Sequence, residues 1–377
     1  MRKRNRGIRD YWTRVTEGFE LSQLWGQFKS EAQAGYGLYS KDVDWDSIKR
    51  EEKKWKRPFL AAWALFQALL MKLSPARRVL LIVAVVFMII TPDIHWSNGN
   101  LDLRGLSAFI LFVLLALELA DRVTMKRDLE IAREIQQWLV PDHPPKIPGM
   151  DIAFATRPQN TVAGDYYDAF LRTNPAGEGD PHRLIIAVAD VAGKSVPAAL
   201  LMATFQASLQ ALAASPSSLD DMVVGLDRYT RAHSLEGRRF TTAFLAEINP
   251  ETREMVYVNA GHNNPILRRA GGRIERLSVG GPPLGLPLFT DAENSFPSER
   301  VQLQSGDLLF IFTDGVVEAV NESGEEFGET RLVPSIETAP PVSAAEILQR
   351  VMNEVNTFVG YARQHDDITC LVLRVAP

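Results

Sequence analysis

Four segments place aspartates where an apolar, strand-like run meets a turn, and this pattern constrains the fold more than any other feature of the sequence. The aspartates are Asp165 and Asp168 in VAGDYYDAF, Asp190 in LIIAVADVAGKS, Asp314 in LLFIFTDGVVEA, and Asp366 and Asp367 in RQHDDITCLVL. An isolated carboxylate beside a buried strand is costly unless a cation pairs with it. Lys194 and His365 are the nearest basic residues. The sequence therefore predicts that these strand ends converge around bound cations.

The donor types indicate which cations these are. Carboxylates, without histidine or cysteine at zinc spacing, favour Mg²⁺ or Mn²⁺. Two such ions about 3.5–4 Å apart lower the pKa of a shared water and stabilise charge on a phosphoryl oxygen. The sequence has no Ser-His-Asp or Cys-His spacing and no Walker-type loop. Phosphoester hydrolysis by a metal-activated water is thus the leading prediction.

Other interpretations of the aspartates stay open at this point. Any one strand-end aspartate is usually a turn former or a helix cap. A metal-dependent nucleotidyl cyclase also needs strand-end aspartates, although we find no residues here that suit a base and a triphosphate. A non-catalytic signalling scaffold could keep the same fold.

Two apolar runs, residues 79–90 and 106–120, predict a pair of membrane-spanning helices within residues 77–123. Each reaches the required ~20 residues only with its flanks. Basic residues lie outside the pair, so the positive-inside rule places both ends in the cytoplasm of a multi-pass membrane protein. A buried hairpin in a soluble protein is the alternative. Residues 57–73, within a region spanning 1–76, favour a helix at the membrane interface over a third span.

Residues 124–141 continue the second apolar helix as a linker that ends at Pro141. Its apolar positions recur at three-to-four spacing and are Met125, Leu129, Ala132, Ile135 and Leu139. This stripe is typical either of a coiled-coil seam, which predicts a homodimer through the linker, or of a helix packed on its own domain. In the first case we expect a signal to pass to the helix that begins after Ser195.

From residue 142 to 377 the pattern changes to short strands, hairpins and capped helices, which predicts an α+β domain built on antiparallel sheet. Residues 241–262 indicate a hairpin around Asn-Pro-Glu-Thr, and residues 265–277 another around Ala-Gly-Gly. Ser195 is expected to cap one helix, and Ser343 with Glu346 to form a capping box on another.

Charge and cysteine content limit the kinds of partner and the cellular compartment that are expected for this chain. The net charge of -5 gives no reason to expect a nucleic-acid partner. The single cysteine, Cys370, lies in an apolar run and excludes an intrachain disulfide. The catalytic part is therefore expected in a reducing, cytoplasmic compartment.

Eight ordered motifs make residues 127–375 resemble the bacterial PPM-type serine/threonine phosphatases of the stage II sporulation protein E and RsbU class. The motifs are DLEIAREIQQWLVP, PGMDIAFATRPQNTVAGDYYD, VADVAGKSVPAALLMA, FTTAFLAEIN, VNAGHNNPILRR, PPLGL, SGDLLFIFTDGVVEA and HDDITCLVLRV. The resemblance implies two central antiparallel sheets flanked by helices, a sandwich with two Mn²⁺ or Mg²⁺ ions between the sheets at one edge.

Position by position, the resemblance implies a ligand set. The implied metal ligands are Asp165, Asp190 as the bridging residue, the backbone carbonyl of Val191, Asp314 and Asp366, with Asp165 and Asp190 as the catalytic pair. Asp168 and Asp367 are expected to support these ligands, and the choice of Asp366 over Asp367 rests on alignment to the first acid. Two positions depart from related enzymes: Ala192 stands where eukaryotic relatives carry histidine, and Ser195 where bacterial ones carry glycine.

The resemblance also implies an activity. We expect a membrane-anchored, metal-dependent protein phosphatase that hydrolyses phosphoserine or phosphothreonine on a partner protein of the anti-anti-sigma type. His262 is weighed as a general acid against a structural role in a turn. Arg157 is weighed as a phosphate contact against a surface charge.

Overall fold

The computed structural model describes most of the chain outside its N-terminal region. The described residues are 43–45, 48, 54–89, 95–96, 99–100, 103–172, 182–215, 217–233, 239–286 and 296–376. Most of the predicted N-terminal region, and most of the segment between the two apolar runs, lie outside these ranges. The chain divides into two compact units, residues 1–123 and 124–377.

The first unit contains a helical hairpin. Its elements are α1 (Arg57–Lys72), α2 (Pro75–Ile89), the short strands β1 (His95–Trp96) and β2 (Gly99–Asn100), and the first part of α3 (Leu103–Leu139). The Ser107 hydroxyl donates to the Ala84 carbonyl at 2.7 Å, where both residues are buried. Arg77 pairs with Asp121 at 2.6 Å near the other end of the contact. These contacts fix α2 and the first part of α3 as antiparallel neighbours.

The outward surface of this hairpin is apolar. Large side chains such as Val79, Ile82, Phe109, Phe112 and Leu115 are exposed. Of the described helices, α3 and the later helix Val196–Ala213 are long and apolar enough to cross a membrane. Because the second of these contributes buried residues to a protein core, length and composition alone are weak support for a span.

The second unit is an α+β domain. Its strands are β3 (Met150–Arg157), β4 (Asp165–Arg172), β5 (Arg183–Val191), β6 (Thr241–Ile248), β7 (Glu254–Ala260), β8 (Ile266–Arg268), β9 (Ile274–Arg276), β10 (Gly280–Gly281), β11 (Glu299–Gln302), β12 (Leu308–Phe312) and β13 (Ile368–Val375). Besides the end of α3, its helices are α4 (Val196–Ala213), α5 (Leu219–Ala232), α6 (Asp314–Val317), α7 (Glu329–Glu337) and α8 (Ala344–Val359).

The strands form two sheets that pack face to face. One sheet has the order β10-β7-β6-β5-β4, with β11 also paired to β7, and the other has the order β3-β13-β12-β8-β9. All pairs are antiparallel except β10 with β7. A buried apolar cluster lies between the sheets, and further clusters join α4 and α5 to the first sheet and α7 and α8 to the second. The predicted sandwich flanked by helices is therefore present.

Both predicted hairpins are confirmed. Strands β6 and β7 pair across the Asn-Pro-Glu-Thr turn, and β8 and β9 pair across the Ala-Gly-Gly turn. The capping box of α8 is also confirmed, since the Ser343 hydroxyl accepts from the Glu346 amide and the Glu346 carboxylate accepts from the Ser343 amide. Local turn and cap chemistry was thus sufficient to predict these elements from the sequence.

The expected capping role of Ser195 is wrong. Its hydroxyl makes no capping hydrogen bond to α4, and its backbone has φ 64° and ψ -149°. This region of backbone conformation is essentially restricted to glycine, because a Cβ atom clashes with the neighbouring peptide groups. The conformation explains why glycine is the usual residue at this place in related bacterial motifs.

Replacement of Ser195 by glycine is expected to stabilise the domain. The Ser195→Gly variant relieves a backbone strain of about 1 kcal/mol or more, partly offset by the greater freedom of glycine in the unfolded chain. Urea denaturation followed by circular dichroism should show a higher midpoint. Ser195→Ala keeps the Cβ atom and is the matched control, so an equal rise in both variants would contradict the strain.

Candidate active site

The inward faces of the strands change from apolar to polar at one edge of the sandwich. Alternate residues of a strand point to the same face. On β5, Leu184, Ile186 and Val188 belong to the cluster between the sheets, and Asp190 follows at the same spacing. Asp165 likewise shares the inward face of β4 with Tyr167. Strand alternation therefore directs both carboxylates into the space between the sheets.

Asp165 and Asp190 lie directly opposite each other in the antiparallel ladder of β4 and β5. Side chains at such positions have Cβ atoms about 4.5–5.5 Å apart, and like charges there repel. Asp165 is 5% exposed. The next residue on the other side of Asp190 is Thr242 of β6. The sheet register thus enforces a carboxylate pair that water cannot screen well.

The second sheet supplies the remaining aspartates. Asp314 begins α6 just after β12, and Asp366 and Asp367 just precede β13, the strand paired with β12. A Cβ atom on Gly315 would lie 1.9 Å from the carbonyl oxygen of Asp367. Glycine after Asp314 is therefore required for the two segments to meet.

Hydrogen bonds join the two sheets at this edge. The Thr313 hydroxyl donates to Asp165 Oδ2 at 2.9 Å. Asp367 accepts from the backbone amides of Gln159 and Gly164, each at 2.6 Å, one on each carboxylate oxygen. These bonds hold the segment that precedes Asp165 against the start of β13. Asp367 therefore braces the backbone of the site.

Burial and mutual repulsion change the acidity of the cluster. Burial first, and then the charges of Asp314, Asp366 and Asp367, raise the pKa of Asp190 to about 7. Burial and the neighbouring Asp190 raise the pKa of Asp165 well above its ordinary value. The pKa of Asp314 is raised by burial and by the charge of Asp366. A carboxylate held near neutral pKa is at high free energy when ionised, and a bound cation relieves this cost.

The side chains have other partners in this structure. Among the residues that the structure describes, no three acidic, histidine or cysteine side chains are gathered closely enough to hold an ion. Asp165 accepts from Thr313, and Asp366 Oδ2 pairs with the Lys194 ammonium at 3.0 Å. The backbone thus brings the aspartates to one edge, where Asp165 and Asp366 are bonded to neighbouring side chains. Their oxygen donors suit Mg²⁺ or Mn²⁺.

Asp168 lies on the other face of β4, so the expectation that it supports the metal ligands is wrong. It accepts hydrogen bonds from the Tyr166 hydroxyl at 2.7 Å and from the Gln210 side chain of α4 at 2.9 Å. A separation of three residues along a strand reverses the face. Asp168 therefore fastens α4 to the first sheet.

His262 and Arg157 are placed in structural roles. Burial lowers the pKa of His262 to about 4, so its ring is neutral at pH 7, and its Nδ1 lies 3.1 Å from the Thr242 hydroxyl. A neutral imidazole does not suit a general acid at this pH. Arg157 donates to the Asn356 side chain on α8. It thus faces the helix layer, which gives no support to a phosphate contact, the alternative weighed against a surface charge.

Sequence reasoning missed the contact between the linker part of α3 and the site. The side-chain amide of Gln136 donates to the Ala163 carbonyl at 2.7 Å and accepts from the Ala163 amide at 3.0 Å. A cavity of about 640 Å³ beside this contact is lined by residues that include Trp138, Phe154 and Asp165. The linker therefore contacts the backbone two residues before Asp165, a pairing that no local pattern in the sequence indicates.

Solved structures define the class of this fold. The second unit resembles the SiaA PP2C domain of Pseudomonas aeruginosa, with a TM-score of 0.57 and 22% identity over 68% of this chain and 98% of that one. It also resembles the PP2C domain of SpoIIE from Bacillus subtilis, with a TM-score of 0.51 and 17% identity over 60% of this chain and 62% of that one. The fold is therefore that of the PP2C phosphatases.

The family follows from the sequence match. Residues 180–376, just over half of the chain, match the Stage II sporulation protein E (SpoIIE) family, and the chain belongs to this family. The resemblance inferred from the eight motifs is thus confirmed.

Two curated relatives are similar in sequence. The phosphoserine phosphatase RsbU of Bacillus subtilis is 28% identical over 66% of this chain and 70% of RsbU. Protein IcfG of Synechocystis is 27% identical over 69% of this chain. The chain spans 43% of the length of IcfG.

Stability without metal is expected to fall as pH rises. An acid whose pKa is higher in the folded state binds more protons when folded, so its favourable contribution is present at low pH and is lost between about pH 4 and its folded pKa. For Asp190 that window ends at about pH 7. In chelator, the free energy of unfolding of Asp190→Asn relative to wild type should therefore rise by on the order of 2 kcal/mol between pH 5 and pH 8.

Denaturation at a series of pH values, in chelator and in Mn²⁺, measures this difference. Mn²⁺ should stabilise the wild-type chain most at the higher pH, because the ionised carboxylates bind it. A constant difference between the variant and the wild type across this range would contradict the shifted pKa.

Proposed function

We propose that this chain is a metal-dependent protein phosphatase that removes phosphate from serine or threonine of a partner protein. The carrying observation is the edge of the sandwich where Asp165 and Asp190 face each other and lie within the electrostatic reach of Asp314 and Asp366. Membership in the SpoIIE family and the similarity to RsbU support the reaction class.

The proposed ligands are those that the resemblance implied. Asp165, Asp190, Asp314, Asp366 and the Val191 carbonyl would hold two Mn²⁺ or Mg²⁺ ions. When bound, such ions supply an activated water and stabilise charge on the phosphoryl oxygens. The bonding of Asp367 supports Asp366 as the ligand, because both oxygens of Asp367 already accept backbone amides.

The chain's own residues prepare this reaction in three ways. The β4–β5 register holds Asp165 and Asp190 at a fixed separation. Thr313 orients Asp165 through its hydroxyl. The apolar cluster behind the aspartates keeps the inner wall of the site dry, which strengthens every electrostatic interaction there.

Membrane anchoring is part of the proposal. The apolar outer surface of the α2–α3 hairpin and the basic residues beside it support two spans with both ends in the cytoplasm. We assign residues 1–76 to a cytoplasmic or interfacial region, 77–123 to the spans, 124–141 to the linker and 142–377 to the phosphatase domain. The substrate would be a small phosphoprotein of the anti-anti-sigma type.

Hydrolysis of a phosphoserine peptide by the full chain tests the activity. We expect phosphate release with Mn²⁺ and none with chelator. Asp190→Asn should lose at least about 100-fold in rate, because it removes the charge of a carboxylate that would hold the ions. Asp168→Asn is the matched control: it changes a buried aspartate of β4 that faces α4, and it should retain most of the rate.

Other outcomes separate the alternatives. A chain that binds Mn²⁺ but releases no phosphate from any phosphoprotein would indicate a scaffold. Conversion of ATP or GTP to a cyclic product would indicate a nucleotidyl cyclase. Substantial Mn²⁺-dependent turnover by Asp190→Asn would contradict the bridging role of Asp190.

A homodimer through the linker is the second part of the proposal. On the linker, Met125, Ile131, Ile135 and Trp138 are exposed, whereas Leu129, Ala132 and Leu139 of the predicted stripe are partly buried. The exposed apolar surface thus shares Met125 and Ile135 with the predicted stripe, adds Ile131 and Trp138, and is available for a second copy. Burial of such side chains favours association through the hydrophobic effect, offset in part by the cost of ordering two chains.

Ile135→Asp is expected to shift the chain from dimer to monomer, because it places a charge in the apolar contact. Gln137→Asp introduces the same charge at an exposed polar position of the same helix and should leave the dimer intact. Sedimentation velocity of the full chain in detergent measures both. A wild-type chain that stays monomeric at micromolar concentration would contradict the dimer.

A further inference from the structure

Lys194 occupies a special place beside the aspartates. Its Nζ atom lies 3.0 Å from Asp366 Oδ2, and it also donates to the carbonyl oxygen of His365. Among the described basic residues, Lys194 is the one whose ion pair involves a carboxylate of the proposed metal site. The Lys194 side chain is 50% exposed and that of Asp366 is 36% exposed. The pair therefore lies at the mouth of the site, open to solvent.

The loop that carries Lys194 is held in place by several contacts. The Ala192 amide donates to the Phe240 carbonyl at 2.9 Å, and Arg239 donates to the Ala192 carbonyl at 3.0 Å. Gly193 has φ +119°, and a Cβ atom there would lie 1.8 Å from the Arg239 guanidinium. The strained backbone of Ser195 follows directly. The position of the Lys194 backbone is thus determined by the fold, and its side chain extends from this fixed point.

The ion pair competes with the function proposed for Asp366. An exposed lysine–carboxylate pair is weak, because water screens the charges and both side chains lose freedom. A divalent cation binds the same oxygen more strongly. Asp366 can therefore exchange the ammonium for the cation at little cost, and the ammonium is then left at the rim on a flexible four-carbon stem.

Charge balance indicates what the released ammonium would meet. The four proposed carboxylate ligands balance the charge of two divalent cations. A phosphoryl dianion then brings negative charge that the site itself does not balance. Lysine binds phosphate well as a mobile point charge with three donors. Arg239 is already committed to the Ala192 carbonyl, so Lys194 is the nearby cation that is free to move.

We propose that Lys194 is an exchangeable counter-ion: it neutralises Asp366 before the metal binds, and it then turns to bind the phosphoryl group of the substrate. This inference rests on the proposed phosphatase function. It assigns Lys194 two opposite effects, one against metal binding and one in favour of substrate binding. A merely structural lysine would produce neither.

Two measurements on the full chain test these effects. Mn²⁺ titration followed by electron paramagnetic resonance gives metal affinity without any turnover. Lys194→Met should bind Mn²⁺ about fivefold more tightly, since the competing exposed ion pair is removed. In the Mn²⁺-loaded protein, the same variant should bind inorganic phosphate about tenfold more weakly, since a charge-assisted hydrogen bond is lost. KM for a phosphoserine peptide should rise more than kcat falls.

Two further variants serve as controls. Lys194→Arg keeps the charge and should restore most of the phosphate affinity. Lys146→Met removes an exposed lysine elsewhere in the domain and should change neither affinity. Equal Mn²⁺ and phosphate affinities in Lys194→Met and the wild type would overturn the role of Lys194, and so would weaker Mn²⁺ binding by this variant. A wild-type chain that binds no Mn²⁺ and releases no phosphate would overturn the proposed function as well.

Discussion

Two carboxylates face each other across an antiparallel ladder at the edge of this sandwich, and the rest of the site is arranged around that repulsion. Asp165 and Asp190 cannot move apart, because a one-residue shift of β4 against β5 would turn the apolar residues of one strand out of the core. Three features reduce the repulsion: the Thr313 hydroxyl donates to Asp165, raised pKa values favour protonation, and the Lys194 ammonium lies nearby. Bound divalent cations would reduce the repulsion further.

The sequence predicted the parts of this arrangement that local chemistry determines. Alternating apolar residues fixed which strands are buried, turn residues fixed the β6–β7 and β8–β9 hairpins, and the capping box fixed the start of α8. The convergence of the strand-end aspartates followed from the cost of burying unpaired charge. The prediction for Asp168 was wrong because residues close together in a motif need not be close in space. Two positions three residues apart on a strand lie on opposite faces.

Strand alternation, applied to the second sheet as well, would have predicted one further residue of the site. On β12 and β13 the inward stripe of apolar residues ends in threonine at the edge that carries the aspartates, as with Ile311 and Thr313 or Leu371 and Thr369. This signal would have located Thr313 before the structure did. The Gln136–Ala163 contact and the Lys194–Asp366 pair join segments far apart in sequence. Only the packed chain shows them, and only its backbone shows why serine is strained at position 195.

The two adjacent aspartates before β13 have different roles, although their side chains are chemically identical. Asp367 ties down two backbone amides, while its neighbour Asp366 reaches the open mouth. An insertion or deletion between Asp366 and the strand would move both side chains, so that the contacts of Asp367 with the backbone amides and the position of Asp366 at the mouth would be lost together. A change in the length of this connection is therefore better accommodated upstream, in the turn after Gly360, where the chain has left α8 and has not yet entered the sheet.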